Sequence, residues 1–239
     1  MINDNIQCML FDLDGTLVDS MVYWRTLTLH QVKMRYAHLQ GYNEKIETLI
    51  SVLPYDEARR LISETFSIPL EEITTDREYT RGMMTLFYRD AVQPKEQACR
   101  LLREAHEGGV HTALLTATRR DLMQSTLDRL CLTSYLDLIY TPEEYPRGKW
   151  TADIFTDAMK YFGVKPEQTV LYEDSLYSMK IAKELGIRVV AVKDALNEIF
   201  MDEISSVADE VLDLGESRRE LPRGMLEEYE KRFGRGCQI

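Results

Sequence analysis

Residues 7–20 read Gln-Cys-Met-Leu-Phe-Asp-Leu-Asp-Gly-Thr-Leu-Val-Asp-Ser. The run Cys8 to Phe11 is apolar without alternation, the pattern of a strand buried on both faces in a parallel sheet. It delivers two carboxylates, Asp12 and Asp14, into a turn made by Gly15. Parallel sheets bind ligands beyond the carboxyl ends of their strands, where both carboxylates fall. Like charges held that close repel, so a divalent cation, a shared proton or both must offset them.

Beyond this stretch the chain divides by rhythm. From residue 94 onward helix and strand signals alternate. Pro94 suits the first position of a helix whose Ala98, Leu101, Leu102 and Ala105 share one face, ended by Gly108-Gly109. A strand from Val110 to Leu115 runs into Thr116, and a helix carrying Met123, Thr126, Leu127 and Leu130 follows. Next come a short strand Leu138 to Tyr140, a helix with Ile154, Phe155, Ala158, Met159 and Phe162, and a strand Thr169 to Tyr172. A helix Ser178 to Leu185, a strand Arg188 to Val192 and an edge strand Val207 to Val211 complete the pattern. Such alternation predicts right-handed crossovers and a doubly wound α/β parallel sheet, Rossmann-like in plan. Residues 19–89 show helical periodicity only, over roughly 20–38, 44–52, 55–66 and 76–90, with Pro54 and Pro69 as punctuation. The expected organisation is a discontinuous core of 1–18 and 90–215, an all-helical insertion of 19–89, and a charged tail of 216–239 forming one surface helix.

The 239 residues suffice for one α/β domain with a smaller second unit. A net charge of −11 speaks against nucleic acid, whose binding rests on clustered Lys and Arg. It also means that an anionic substrate must be attracted by a metal or by particular basic residues. Cys8, Cys99, Cys131 and Cys237 lie far apart, with neither zinc-ligand spacing nor a disulfide pattern. No signal peptide and no apolar run of membrane-spanning length is read, so a cytoplasmic protein, off the membrane and monomeric, is the expectation.

Asp12-Leu13-Asp14-Gly15-Thr16 resembles the first motif of the haloacid dehalogenase-like superfamily, within its β-phosphoglucomutase and phosphoglycolate phosphatase subgroup. Thr116, closing an apolar strand, is similar to the second motif. Lys149 in Gly148-Lys149-Trp150-Thr151-Ala152-Asp153 looks like the third, although Trp150 and Ala152 stand where many relatives have proline. Tyr172-Glu173-Asp174-Ser175 looks like the fourth, its Glu-Asp pair similar to that of β-phosphoglucomutases. The resemblance implies a helical cap, Mg²⁺, and phosphoryl transfer from a small phosphorylated metabolite. Asp12 would be the nucleophile and Asp14 the acid and base. Asp12, the Asp14 carbonyl and Asp174 would hold the metal, with Glu173 a ligand or a neighbour of one. Thr116, with the backbone N–H groups of Ala117 and Thr118, would hold a phosphoryl oxygen, and Lys149 would steady the nucleophile.

Outside the motifs, Arg119 has the best claim on phosphate among the arginines, and Trp24 is a candidate substrate contact on a helical stripe with Tyr23, Leu27 and His30. The four histidines show no metal-ligand spacing. Three other readings stand beside a phosphohydrolase: a phosphomutase, a 2-haloacid dehalogenase and a catalytically silent binding module. A dehalogenase has no use for the acidic set, and a silent scaffold would keep it only at a cost to stability. The mutases carry a histidine twelve residues after the nucleophile, where this chain has Trp24. They also carry a cap arginine, where Ser51 to Glu57 has none.

Overall fold

In the computed structural model, residues 5–52, 55–73 and 76–236 are described. Pro54 and Cys237 lie outside them. The chain forms two compact units, Met1–Ser20 with Tyr88–Arg218, and Met21–Phe87 with Arg219–Ile239.

In the first unit β1 (Cys8–Phe11) leads into β2 (Val18–Asp19). In the second, the inserted segment supplies α1 (Met21–Tyr36), α2 (Glu44–Val52), α3 (Tyr55–Phe66) and most of α4 (Arg77–Asp90). The first unit resumes with β3 (Gln93–Pro94), α5 (Glu96–Glu107), β4 (His111–Leu115), α6 (Arg120–Arg129) and β5 (Leu138–Tyr140). It continues with α7 (Asp153–Phe162), β6 (Thr169–Glu173), α8 (Leu176–Glu184), β7 (Arg188–Val192), α9 (Met201–Val207) and β8 (Glu210–Leu212).

Six strands form one parallel sheet in the order β5-β4-β1-β6-β7-β8. From β1 the chain builds outward to β5, then returns to the other side of β1 at β6. The carboxyl ends of β1, β4 and β6 therefore meet where strand order reverses, the crevice in which such sheets place ligands. Strand β1 is central, and its four residues are at most 1% exposed. On one face Cys8, Leu10, Ala113, Leu115, Leu171, Val189 and Ala191 pack with Ile154 and Phe155 of α7, Met179 of α8 and Ile204 of α9. The opposite face carries Phe11 stacked on Tyr172 at 5.0 Å between ring centres.

Two expectations shift. Pro94 is not the first residue of a helix. It pairs with Val18, and Gln93 with Asp19, in a two-residue antiparallel ribbon. The local proline signal loses to these pairs, and α5 begins at Glu96 behind Lys95, whose N–H donates to Leu17 O at 2.9 Å. Val207 ends α9 instead of opening the edge strand, which runs Glu210–Leu212 because Val190 to Val192 of β7 set its register.

In the second unit Val32 and Tyr36 of α1 pack with Ile46 and Ile50 of α2, Ala58 and Ile62 of α3, and Ile73. The tail helix, α10 (Met225–Gly236), belongs to this unit. Its Tyr229 is buried against Phe87, with ring centres 4.6 Å apart, and its Phe233 lies over Gly82 of α4. The charge that dominates the tail's composition hides this two-ring apolar stripe. No helix among the described residues is long and apolar enough to cross a membrane.

Candidate active site

Asp12 follows β1 directly, and its N–H donates to Tyr172 O of β6 at 3.0 Å, so the sheet ladder itself fixes where this carboxylate begins. The turn beyond it closes when Leu13 O accepts the N–H groups of Leu17 and Val18 and Gly15 N–H donates to Val18 O. Gly15 sits at φ +82°, a left-handed conformation that a residue with a Cβ adopts only under strain.

Four charged side chains converge at the ends of β1 and β6. Lys149 Nζ lies 2.5 Å from Asp12 Oδ1 and 2.7 Å from Glu173 Oε2. Asp12, Glu173 and Asp174 each place a carboxylate oxygen within 4.8 Å of the others, all three buried. The remaining oxygen of Glu173, Oε1, accepts the N–H groups of Asp174 at 3.0 Å and Ser175 at 3.1 Å. Ser175 Oγ donates to Asp174 Oδ1 at 3.0 Å. From behind, Asn197 Nδ2 donates to Asp174 O at 3.0 Å, and Asn197 Oδ1 accepts Asp194 N–H at 3.0 Å. Asp194 in turn holds a fully buried ion pair with Lys95 at 3.0 Å.

The electrostatics follow from burial and crowding. Burial, then the negative charge of Glu173, holds the Asp12 carboxyl well above the usual carboxylate range. Asp174 is raised by burial and by Glu173 and Asp12. Burial acts to lower Lys149, but the charges of Asp12 and Glu173 overcome it, and the ammonium titrates well above an ordinary lysine. Three carboxylates face one ammonium, so two negative charges stay uncompensated when all are ionised. Glu173 Oε2, although near Lys149, receives no well-directed hydrogen bond. Hard oxygen donors, clustered and over-charged, with one carboxylate oxygen left open, suit a hard divalent cation.

Lys149 sits in a single helical turn, Gly148–Trp150. Trp150 stacks on Tyr177 of α8 at 3.9 Å with planes 9° apart. The indole thereby ties the lysine's turn to the helix that follows Asp174.

Asp14 points elsewhere. Its carboxylate is taken up by three hydroxyls, from Ser20, Tyr88 and Thr118. Thr116 is fully buried at the end of β4, its N–H donating to Tyr140 O at 3.1 Å. The Thr118 N–H donates to Thr116 Oγ1 at 3.0 Å. Ala117, between Thr116 and Thr118, is exposed. Arg119 is 54% exposed and pairs with Asp121 at 3.2 Å and Glu143 at 3.4 Å. Trp24 is half-buried on α1 of the helical unit. Ser20, Tyr88, Asn197 and Asp194 were not picked out from sequence. Ser20 ends the stretch that decides the fold, but Tyr88 reaches Asp14 from 74 residues away and carries no local signal.

Known proteins similar to this chain include several phosphatases. The family model described as haloacid dehalogenase-like hydrolase matches residues 9–192. A pyrophosphatase of Halalkalibacterium halodurans is 25% identical over 191 residues, covering 80% of this chain and 85% of that protein. Phosphoglycolate phosphatase 1 of Pseudomonas aeruginosa is 27% identical over 194 residues, covering 79% and 70%. The solved structure of CbbY from Rhodobacter sphaeroides, in complex with phosphate, shares the fold with a TM-score of 0.65 at 19% identity, over 88% of this chain and 96% of that one. The chain belongs to the haloacid dehalogenase-like hydrolase family.

Proposed function

We propose that this haloacid dehalogenase-like hydrolase is a Mg²⁺-dependent phosphatase of a small phosphorylated metabolite, working through an aspartyl-phosphate on Asp12. The observation that carries the reading is the convergence of Asp12, Lys149, Glu173 and Asp174 at the ends of two adjacent strands. Asp12, Asp174 and the Asp14 backbone carbonyl would hold the cation, with Glu173 beside them. When bound, Mg²⁺ supplies positive charge against the carboxylates and the phosphoryl oxygens.

The chain's own residues account for the steps. An Asp12 carboxylate oxygen attacks phosphorus as the bond to the leaving oxygen breaks, and Asp14 gives its proton to that oxygen. Asp14 then takes a proton from water, whose oxygen attacks the aspartyl-phosphate. Inorganic phosphate leaves and the Asp12 carboxylate returns. Lys149 offsets charge around Asp12 throughout. The Thr116 hydroxyl and the Ala117 N–H face the charge that spreads over the equatorial oxygens in the transition state.

The helical unit is proposed as the cap that selects substrate, with Trp24 as a candidate contact. The relatives carry different names, one for pyrophosphate and one for phosphoglycolate, so substrate is read from assay and not inherited. A panel of phosphorylated metabolites with Mg²⁺ tests the proposal. Phosphate release from at least one of them, lost with EDTA, is expected. Faster interconversion of β-glucose 1-phosphate and glucose 6-phosphate than release of phosphate would make the protein a mutase.

A further inference from the structure

Three hydroxyl groups grip the Asp14 carboxylate. Ser20 Oγ donates to Oδ1 at 2.5 Å, the Tyr88 hydroxyl donates to that same oxygen, and Thr118 Oγ1 donates to Oδ2 at 2.6 Å. We infer that Tyr88 is a positioning residue for Asp14, deciding which carboxylate oxygen moves the proton during catalysis. The inference rests on the reading of Asp14 as the acid and base.

A carboxylate oxygen offers two lone pairs, and two O–H donors fill those of Oδ1. Oδ2 carries a single donor, so it is the oxygen with room for a proton. Its partner is a threonine hydroxyl, which rotates and can accept as readily as it donates. Thr118 belongs to the loop after β4, where Thr116 and Ala117 hold the proposed phosphoryl donors. The oxygen with room for a proton is thereby the one held by the loop of the proposed phosphoryl donors.

Tyr88 is well built for such a task. Its side chain is fully buried, and a tyrosine has only two side-chain torsions to fix. Its backbone is anchored too: the Tyr88 carbonyl accepts from Thr126 Oγ1 and, at 3.2 Å, from Arg129 Nη2, both on α6. Arg129 also caps the Arg89 carbonyl at 2.9 Å and the Val92 carbonyl at 2.5 Å, holding the end of α4 in place. A proton donor displaced by about 1 Å can cost on the order of a hundredfold in rate.

Leaving groups separate positioning from general damage. Dinitrophenolate departs without a proton, whereas phenolate needs one, and kcat/KM reports phosphoryl transfer to Asp12 rather than the later hydrolysis. Tyr88→Phe keeps the ring and removes the hydroxyl. It should lower kcat/KM for phenyl phosphate about tenfold or more and leave 2,4-dinitrophenyl phosphate within about twofold of the parent. Added to Asp14→Asn, it should cause no further loss. Equal losses on both substrates, or additive losses in the double variant, would overturn the inference. Ser20→Ala removes the other Oδ1 donor and should repeat the selective pattern, so the idea stays testable if Tyr88→Phe folds poorly; a uniform loss there also counts against it. Asp14→Asn alone distinguishes the premise: if it shows no dependence on leaving group, the acid and base role itself is wrong.

Discussion

Replacing Lys149 with methionine isolates the electrostatics of the site, because methionine keeps an unbranched apolar stem and removes only the charge. The ammonium lies 2.5 Å from Asp12 Oδ1 and 2.7 Å from Glu173 Oε2, and those carboxylate side chains are 6% and 0% exposed. Removing one partner from a buried ion pair costs about 3–5 kcal/mol, since the charge left behind has no water to solvate it. In a chain of this length each kcal/mol moves Tm by about 2–4 °C, so the variant should melt roughly 6–20 °C below the parent. The loss has a pH signature. Protonation relieves the stranded carboxylates, so the deficit should be larger at pH 8.5 than at pH 6. Differential scanning calorimetry in EDTA at both values measures it. A variant within about 2 °C of the parent at both would show that Lys149 does not compensate buried charge and would refute the argument.

Metal and pH should be linked. The Asp12 carboxyl is pushed up to about 8 by burial and by Glu173, against about 3.9 in an unfolded chain. Across that window the folded protein holds a proton that the unfolded chain has lost, so metal-free stability should fall as pH rises. Mg²⁺ displaces the proton and should raise Tm more at pH 8 than at pH 6; equal shifts would speak against it. Asp174→Asn should weaken Mg²⁺ binding in calorimetric titration while Asp14→Asn does not, because the Asp14 carboxylate is engaged by three hydroxyls. In the helical unit, a Cβ on Gly82 would lie 2.0 Å from Phe233 Cε2. Gly82→Ala should therefore destabilise by about 1–3 kcal/mol despite alanine's better helix propensity, and should become neutral or stabilising in a Phe233→Ala background.

The motif-bearing strand ends were legible because each depends on a short run of neighbours. Cys8 to Phe11 announces a doubly buried strand, and Asp12 must follow it. Leu138–Tyr140 and Arg188–Val192 fell where the apolar pattern put them. The ribbon of Val18–Asp19 with Gln93–Pro94 was not legible, since its pairing joins residues more than seventy positions apart and each half is only two residues long. The hydroxyl cage around Asp14 was hidden for the same reason: serine, tyrosine and threonine acquire meaning only when the fold collects them. The place of α10 was obscured by composition, because two buried rings among many charges leave a weak periodic signal. At Thr118 the hydrogen bond from the amide to the hydroxyl two residues back carries no signal in the local apolar pattern.

The most direct test of the account asks whether phosphorus ever bonds to Asp12. Protein loaded with Mg²⁺ is mixed in excess over a hydrolysed aryl phosphate, quenched in acid within a single turnover and digested for peptide mass spectrometry. A transient phosphoryl group is expected on the peptide containing Asp12, absent from Asp12→Asn. A phosphoryl group on another residue, or turnover by Asp12→Asn equal to the parent's, would contradict it.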